Sequence, residues 1–140
     1  MEGSAQFWVG VPPDGALYVD AMNVLASSPD GWWHDRVAAF HRLIEQLQPL
    51  AAVREGRVVV VVEGRAGEQL PSGPHGEVEV AHASRRGRDA ADDRIVELLA
   101  DPAASRATVV TADRDLRDRA TAAGAHVIGP RTLRTATPSD

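Results

Sequence analysis

The feature that most constrains the fold is a run of five valines, Val58–Val62, with no polar residue among them. β-Branched residues favour extended backbone, and a strand that is apolar on both faces must be covered on both. Such cover is typical of a parallel sheet between two layers of helices. The run therefore predicts that Arg57–Glu63 is a central strand of an α/β protein. It is also far shorter than the roughly 20 apolar residues that cross a membrane.

Strand-like and helical patterns alternate along the rest of the chain. Further strands are predicted at Ala16–Ala21, Glu77–His82, Ala107–Thr111 and Ala125–Ile128. Helices are predicted at Ala90–Ala100 and Asp113–Ala123, and another begins with Ser28 as N-cap, carries an apolar stripe and ends near Pro49. Right-handed crossovers between strands separated by helices produce a parallel sheet. We therefore expect a three-layer α/β/α fold with a central, mainly parallel sheet.

We expect the 140 residues to form one domain, in which the remaining segments connect or flank the predicted strands and helices. Met1–Gly15 is a lead-in with a candidate strand at Gln6–Val11, Gly64–Gly76 is a loop, Ser84–Asp89 is a basic loop, and Thr135–Asp140 is a polar tail. The N-terminus lacks the basic region and the long apolar run of a signal peptide. We expect a cytoplasmic protein with no membrane attachment.

The residue types that are missing exclude several kinds of chemistry. The chain has no cysteine, which excludes disulfides, thiolate metal sites and thiol nucleophiles. All 15 basic residues are arginine, so a Schiff-base lysine and a P-loop lysine are excluded as well. The net charge of −5 argues against a protein that coats nucleic acid electrostatically. It does not argue against an enzyme that contacts nucleic acid locally.

Carboxylates collect where the predicted strands end. The acidic residues at these positions are Asp20, Glu63, Asp92, Asp93, Asp113 and Asp115. The last four could each cap a helix, which is worth about 1 kcal/mol, whereas Asp20 and Glu63 end central strands, where a solvated cap is not the usual need. Two carboxylates about 5 Å apart repel by roughly 3 kcal/mol at an effective dielectric constant of 20, which exceeds the gain from a cap. A cluster of them therefore indicates a cation, and oxygen ligands favour Mg²⁺ or Mn²⁺ in metal-assisted hydrolysis of a phosphodiester.

Three stretches resemble the PIN-like nuclease superfamily, specifically its NYN branch. They are Tyr18–Asn23 (YVDAMN), Ala91–Ile95 (ADDRI) and Val110–Leu116 (VTADRDL), and the resemblance extends from about Ala16 to about Leu133. It implies parallel strands in the order 3-2-1-4-5 and hydrolysis of RNA by an endoribonuclease that uses a divalent metal ion.

The resemblance also implies roles for the matching residues. Asp20, Asp92 and Asp113 match catalytic metal ligands, and Asn23 would orient the Asp20 carboxylate or a metal-bound water. Asp93 and Asp115 are further candidate ligands. Glu63 departs from the pattern, because an Asp is common at the end of this strand.

Arginines near these acids are candidate phosphate-binding residues. Arg85, Arg86 and Arg88 precede Asp92 by one loop, and the alternative is a solvated basic loop. Arg114 lies between two acids, where it either holds a substrate phosphate or neutralises its neighbours.

Other functions stay open at this point. The same acidic site could hydrolyse a nucleotide pyrophosphate, or the domain could be a non-catalytic module that binds RNA or protein. A PIN-type toxin is a third alternative, for which Glu45 is the candidate helix glutamate. RNA is the expected partner, and a homodimer, a ribosome or an antitoxin-like partner are further arrangements that the sequence leaves open.

Overall fold

The computed structural model describes residues 14–27, 34–63, 70–83, 90–101, 104 and 106–136. Its strands are β1 (Leu17–Asp20), β2 (Val58–Val62), β3 (Gly73–His75), β4 (Val78–His82), β5 (Thr108–Val110) and β6 (His126–Ile128). Its helices are α1 (Ala21–Ala26), α2 (Arg36–Val53), α3 (Ala90–Leu99), α4 (Arg114–Ala122) and α5 (Pro130–Ala136). Among these helices there is none with the length and apolar character needed to span a membrane.

The six strands form one sheet in the order β3-β4-β2-β1-β5-β6. β1 lies in the interior and pairs in parallel with β2 and β5, while β4 and β6 extend the parallel sheet on either side. β3 pairs with β4 in antiparallel orientation. The five parallel strands thus have the 3-2-1-4-5 order that the resemblance implies, and the three-layer α/β/α architecture is confirmed. The antiparallel edge strand is an addition to that order.

The added strand corrects the prediction of a loop from Gly64 to Gly76. A tight turn at Gly76, with φ at +67°, folds β3 back on β4. The Gln48 side chain of α2 stabilises this turn because its amide donates to the His75 carbonyl at 2.5 Å and its oxygen accepts from the Glu77 N–H at 2.9 Å. This contact joins distant parts of the chain, so no local pattern predicts it.

The helices differ from the predictions in three places. Ala21–Ala26 is a short helix capped by Asp20, although Ala21 was expected in the strand and the residues after it in a loop. The long helix begins at Arg36 with Asp35 as its N-cap and continues past Pro49 to Val53, because tertiary packing outweighs one missing backbone donor. Pro130 begins a helix that was not predicted, in the position where proline suits a helix. The predicted start at Ser28 and the candidate strand at Gln6–Val11 lie outside the described residues.

Two hydrophobic cores cover the two faces of the sheet. On one face, α1, α2 and Leu133 of α5 pack on Leu17, Val19, Val58, Val60 and Val62. On the other face, α3 and α4 pack on Tyr18, Val59, Val61 and Val109. All five valines of β2 are buried, as expected for a strand between two helical layers. Side chains alternate between faces along a strand, so Asp20 shares the α3 face with Tyr18.

Close backbone packing joins the amino ends of the central strands. The buried guanidinium of Arg54 donates to the carbonyls of Gly15 at 3.1 Å and Asp14 at 2.9 Å. Gly15 has φ of +83°, and a Cβ there would lie 2.2 Å from the carbonyl oxygen of Arg106. A side chain at position 15 would therefore meet both backbone strain and a clash with backbone.

We expect Gly15→Ala to destabilise the protein by about 3 kcal/mol or more, since the strain of a positive φ is joined by overpacking. Gly124→Ala is the matched control, because Gly124 has φ of +90° with no atom within 4 Å of the added Cβ. The control should cost only about 1–2 kcal/mol. Urea unfolding of both variants measures the difference, and equal losses would show that the close approach at Gly15 relaxes freely.

Candidate active site

Asp20 is the central residue of the candidate site. It is the last residue of β1, it is only 5% exposed, and it is the N-cap of α1. Its Oδ1 accepts the backbone N–H of Asn23 at 3.4 Å. An Asp favours this position because its short side chain reaches the free N–H groups of a helix start. The strand thus delivers a buried carboxylate to the edge of the sheet where the parallel strands end, which we call the C-terminal edge.

Glu63 and Asp92 lie near Asp20. Glu63 directly follows β2, and its Oε2 accepts the Ala91 N–H in the first turn of α3 at 3.3 Å. This contact places Glu63 beside Asp92, which is 8% exposed in the same turn. Both carboxylates act electrostatically on Asp20. The structure therefore brings together three of the six predicted acids, from two adjacent strands and one helix start.

Thr111, which follows β5, connects two of the predicted acids through its hydroxyl. It is 2% exposed, its Oγ1 donates to Asp20 Oδ2 at 3.3 Å, and the same oxygen accepts the Asp113 N–H at 3.1 Å. The motif at Val110–Leu116 contains this threonine, but the resemblance gave it no role. Its position between β1 and α4 becomes evident only when the strands are paired.

Asn23 is held against the turn between β5 and α4. Its side-chain oxygen accepts the Ala112 N–H at 2.7 Å, while its backbone N–H is the group that contacts Asp20. The side chain therefore positions the turn that carries Asp113. Its predicted role toward the Asp20 carboxylate is supplied in this structure by its main chain.

The other three acids have different surroundings. Asp113 is the N-cap of α4, and its Oδ1 accepts the Leu116 N–H at 3.1 Å. Asp93 is paired with Arg119 of α4 at 2.9 Å, a contact that joins α3 to α4. Asp115 is exposed, and its Oδ2 lies 4.0 Å from the same Arg119. Arg119 was not predicted, because ion pairs between helices leave no local sequence signal.

Burial and neighbouring charges weaken the acidity of Asp20. Desolvation, together with the negative charges of Asp92 and Glu63, raises the pKa of its carboxyl to about 7, against the hydrogen bonds from Asn23 and Thr111, which lower it. An anion in this position is therefore unfavourable near neutral pH unless positive charge is supplied. This is the electrostatic environment that a cation relieves.

The donor atoms fit a hard divalent cation, since all three neighbouring groups are carboxylates. Among the described residues, however, no three Asp, Glu or His side chains are gathered closely enough to hold a metal ion. The site thus has the charge and the atom types for a metal ion, while its described carboxylates lie too far apart to enclose one as they stand.

The predicted phosphate-binding arginines fall into two groups. Arg85, Arg86 and Arg88 lie outside the described residues. Arg114 is the first residue of α4 and is exposed to solvent, directly after Asp113.

The fold and the site define a class of protein, the PIN-like proteins with a nuclease-type fold. The chain belongs to the YacP-like NYN domain family, whose model matches residues 17–138. The crystal structure of a mutant of Rae1 (YacP) from Bacillus subtilis has the same fold, with a TM-score of 0.69 and 22% sequence identity over 87% of this chain and 74% of that one. No curated protein sequence matches the chain significantly. Nucleases of this fold generally depend on divalent metal ions.

We expect Asp20→Asn to remove a pH-dependent loss of stability. Because the folded pKa of about 7 lies above the ordinary value of 3.8, Asp20 favours folding when protonated, and this contribution is lost as pH rises from about 4 through 7. At about 1.4 kcal/mol per pKa unit, the variant should gain up to about 4 kcal/mol over wild type at pH 8 and almost nothing at pH 4.

Metal-free urea unfolding of both proteins across this pH range measures the effect. Other titrating groups are common to the two proteins, so their difference isolates Asp20. A variant that is less stable than wild type at pH 8 would show that the Asp20 carboxylate is a structural requirement.

We expect Thr111→Val to raise the pKa of Asp20 further, because a hydrogen bond that stabilises the carboxylate is lost. It should also destabilise the protein by about 1–3 kcal/mol, since the Asp113 N–H loses its acceptor. Thr111→Ser keeps the hydroxyl and is the control. Carboxyl ¹³C NMR titration of Asp20 reads the pKa, and an equal Asp20 pKa in the two variants would exclude a role for the hydroxyl.

Proposed function

We propose that the protein is a metal-dependent endoribonuclease that hydrolyses RNA phosphodiesters at the C-terminal edge of its sheet. The observation that carries the proposal is the buried carboxylate of Asp20 facing the charges of Asp92 and Glu63. Membership of a family with a nuclease-type fold supports the same conclusion. The location of such an enzyme would be the cytoplasm, where its RNA substrate is found.

Some residues of the site would bind a cation, and others position these ligands through hydrogen bonds. Asp20 and Asp92 would hold Mg²⁺ or Mn²⁺ together with Glu63, and Asp113, Asp93 and Asp115 are further candidate ligands around this centre. A divalent cation bound there supplies an activated water and stabilises the leaving oxygen. The protein's own contribution is to fix the direction of the acids.

Two contacts fix that direction. Thr111 and the Asn23 N–H each bind one oxygen of Asp20, so this carboxylate cannot rotate without losing a hydrogen bond. Asn23 also holds the Ala112 N–H, which keeps Asp113 at the same edge of the sheet. The catalytic geometry thus depends on the pairing of β1 with β5.

We expect Asp20→Asn and Asp92→Asn each to reduce cleavage of RNA at least about 100-fold in Mn²⁺, since even residues that only support a metal ligand are worth 10–100-fold. Glu45→Gln is the control, because Glu45 is an exposed residue of α2. Gel assays with labelled single-stranded and structured RNAs, with chelator as the blank, measure cleavage. Loss of activity in Glu45→Gln would favour the toxin alternative.

Two further readouts separate the remaining alternatives. Calorimetry should show that Mn²⁺ raises the melting temperature of wild type but not of Asp20→Asn. Nucleoside triphosphates serve as competing substrates, and their hydrolysis without RNA cleavage would identify a pyrophosphohydrolase. If Mn²⁺ leaves the wild type unstabilised and RNA intact, the domain is a non-catalytic binding module and the proposal is wrong.

A further inference from the structure

We propose that Arg114 and Arg117 together bind two backbone phosphates of the RNA, so that the strand leaves the active site along α4. This inference rests on the proposed function and names the path of its substrate. Arg114 is one of four arginines predicted from the sequence to bind phosphate, and the alternative for it was neutralisation of its acidic neighbours. Arg117 had no assigned role.

Neither of the acids on either side of Arg114 in the sequence forms an ion pair with it. The carboxylate of Asp113 accepts the Leu116 N–H as an N-cap. Asp115 has its nearest described cation in Arg119, at 4.0 Å. Among the described residues, Arg114 therefore has no carboxylate within ion-pair distance.

Arg117 likewise has no ion pair among the described residues. Its main-chain N–H continues the helix by donating to the Asp113 carbonyl, and its side chain is exposed without an ion pair to any part of the chain that the structure describes. By contrast, Arg119 on the same helix is bound to Asp93 of α3. The arginines of α4 are thus of two kinds, one engaged in the fold and two available to a ligand.

Arg114 and Arg117 lie on the same flank of α4. Residues three apart on a helix have Cβ atoms about 5–6 Å apart and face the same way. Asp115 and Arg119 occupy another flank, the one that meets α3. Arg114 and Arg117 therefore form a pair of positive charges that is separate from the α3–α4 contact.

The pair of Arg114 and Arg117 lies beside the acidic site. Asp113, the residue before Arg114, donates its N–H to Thr111, and the Thr111 hydroxyl contacts Asp20. The pair therefore begins at the residue after Asp113, which is linked to the buried Asp20 carboxylate through the Thr111 hydroxyl. Two arginines at this spacing are suited to neighbouring phosphates of a single strand, since each guanidinium offers paired donors to an anionic oxygen.

The test measures RNA binding apart from cleavage. In the Asp20→Asn background with chelator present, a fluorescent single-stranded RNA is titrated with protein at several salt concentrations. Each phosphate contact on a single strand contributes about 0.7 to the slope of log K against log salt. The double variant Arg114→Gln/Arg117→Gln should reduce the magnitude of this negative slope by about 1.4. Arg114→Lys/Arg117→Lys should retain the slope because the charges remain.

Arg42→Gln is the matched control. Arg42 is an exposed arginine on α2, on the opposite face of the sheet, and it has no ion pair within the described ranges. It removes one positive charge without touching the proposed path, so its slope should equal that of the parent. Exposed substitutions of this kind should change stability by less than about 0.5 kcal/mol, which urea unfolding verifies.

The outcomes distinguish this inference from the proposed function. Equal slopes for the double glutamine variant and the parent, an equal reduction in Arg42→Gln, or no RNA binding by the parent would each overturn the phosphate path. Cleavage by the wild-type protein is scored separately. With Asp20 intact, Arg114→Gln/Arg117→Gln should have a KM raised several-fold and a kcat nearly unchanged. If the parent binds RNA with the expected slope but the wild type never cleaves it, the nuclease proposal alone is overturned.

Discussion

Burial of the central strands on both faces is the constraint on which the rest of the structure depends. A strand such as β2, with five buried valines, can only lie between two layers, and the layers are supplied by α2 on one face and α3 on the other. Helices return the chain between β1 and β2, between β4 and β5 and between β5 and β6, and all five main strands run parallel. Their carboxyl ends consequently meet at one edge, and the functional groups meet there too.

The same arrangement makes the site costly to build. Alternation along β1 places Asp20 on the α3 face, where burial and the charges of Asp92 and Glu63 disfavour its ionised form. Three helices, α1, α3 and α4, begin at this edge and contribute positive ends of their dipoles, which partly offset the repulsion. The remaining imbalance is stability given up at the candidate site, and under the proposed function a bound cation would offset it. Such a cation would also make a chain of net charge −5 compatible with a nuclease.

Local patterns predicted the five parallel strands and the edge that holds the acids, and the family resemblance implied the order of those strands. Prediction was poorer where distant groups decide. Gln48 stabilises the turn that creates β3, and tertiary packing carries the long helix past Pro49. Within the site, the motifs included Thr111 but left its two hydrogen bonds unseen. Arg119 was overlooked entirely, since its partner Asp93 belongs to another helix.

By itself the sequence determined the fold class, the family and the set of candidate acids, since hydrophobic periodicity and short motifs are local properties. Tertiary structure alone decided how those acids are divided. Packing of α3 against β1 and β2 gathers Asp20, Glu63 and Asp92, whereas Asp93 is turned toward Arg119 and Asp113 caps α4. The physical reason is that a carboxylate's neighbours, and hence its charge state and role, depend on through-space distance, which sequence separation does not encode.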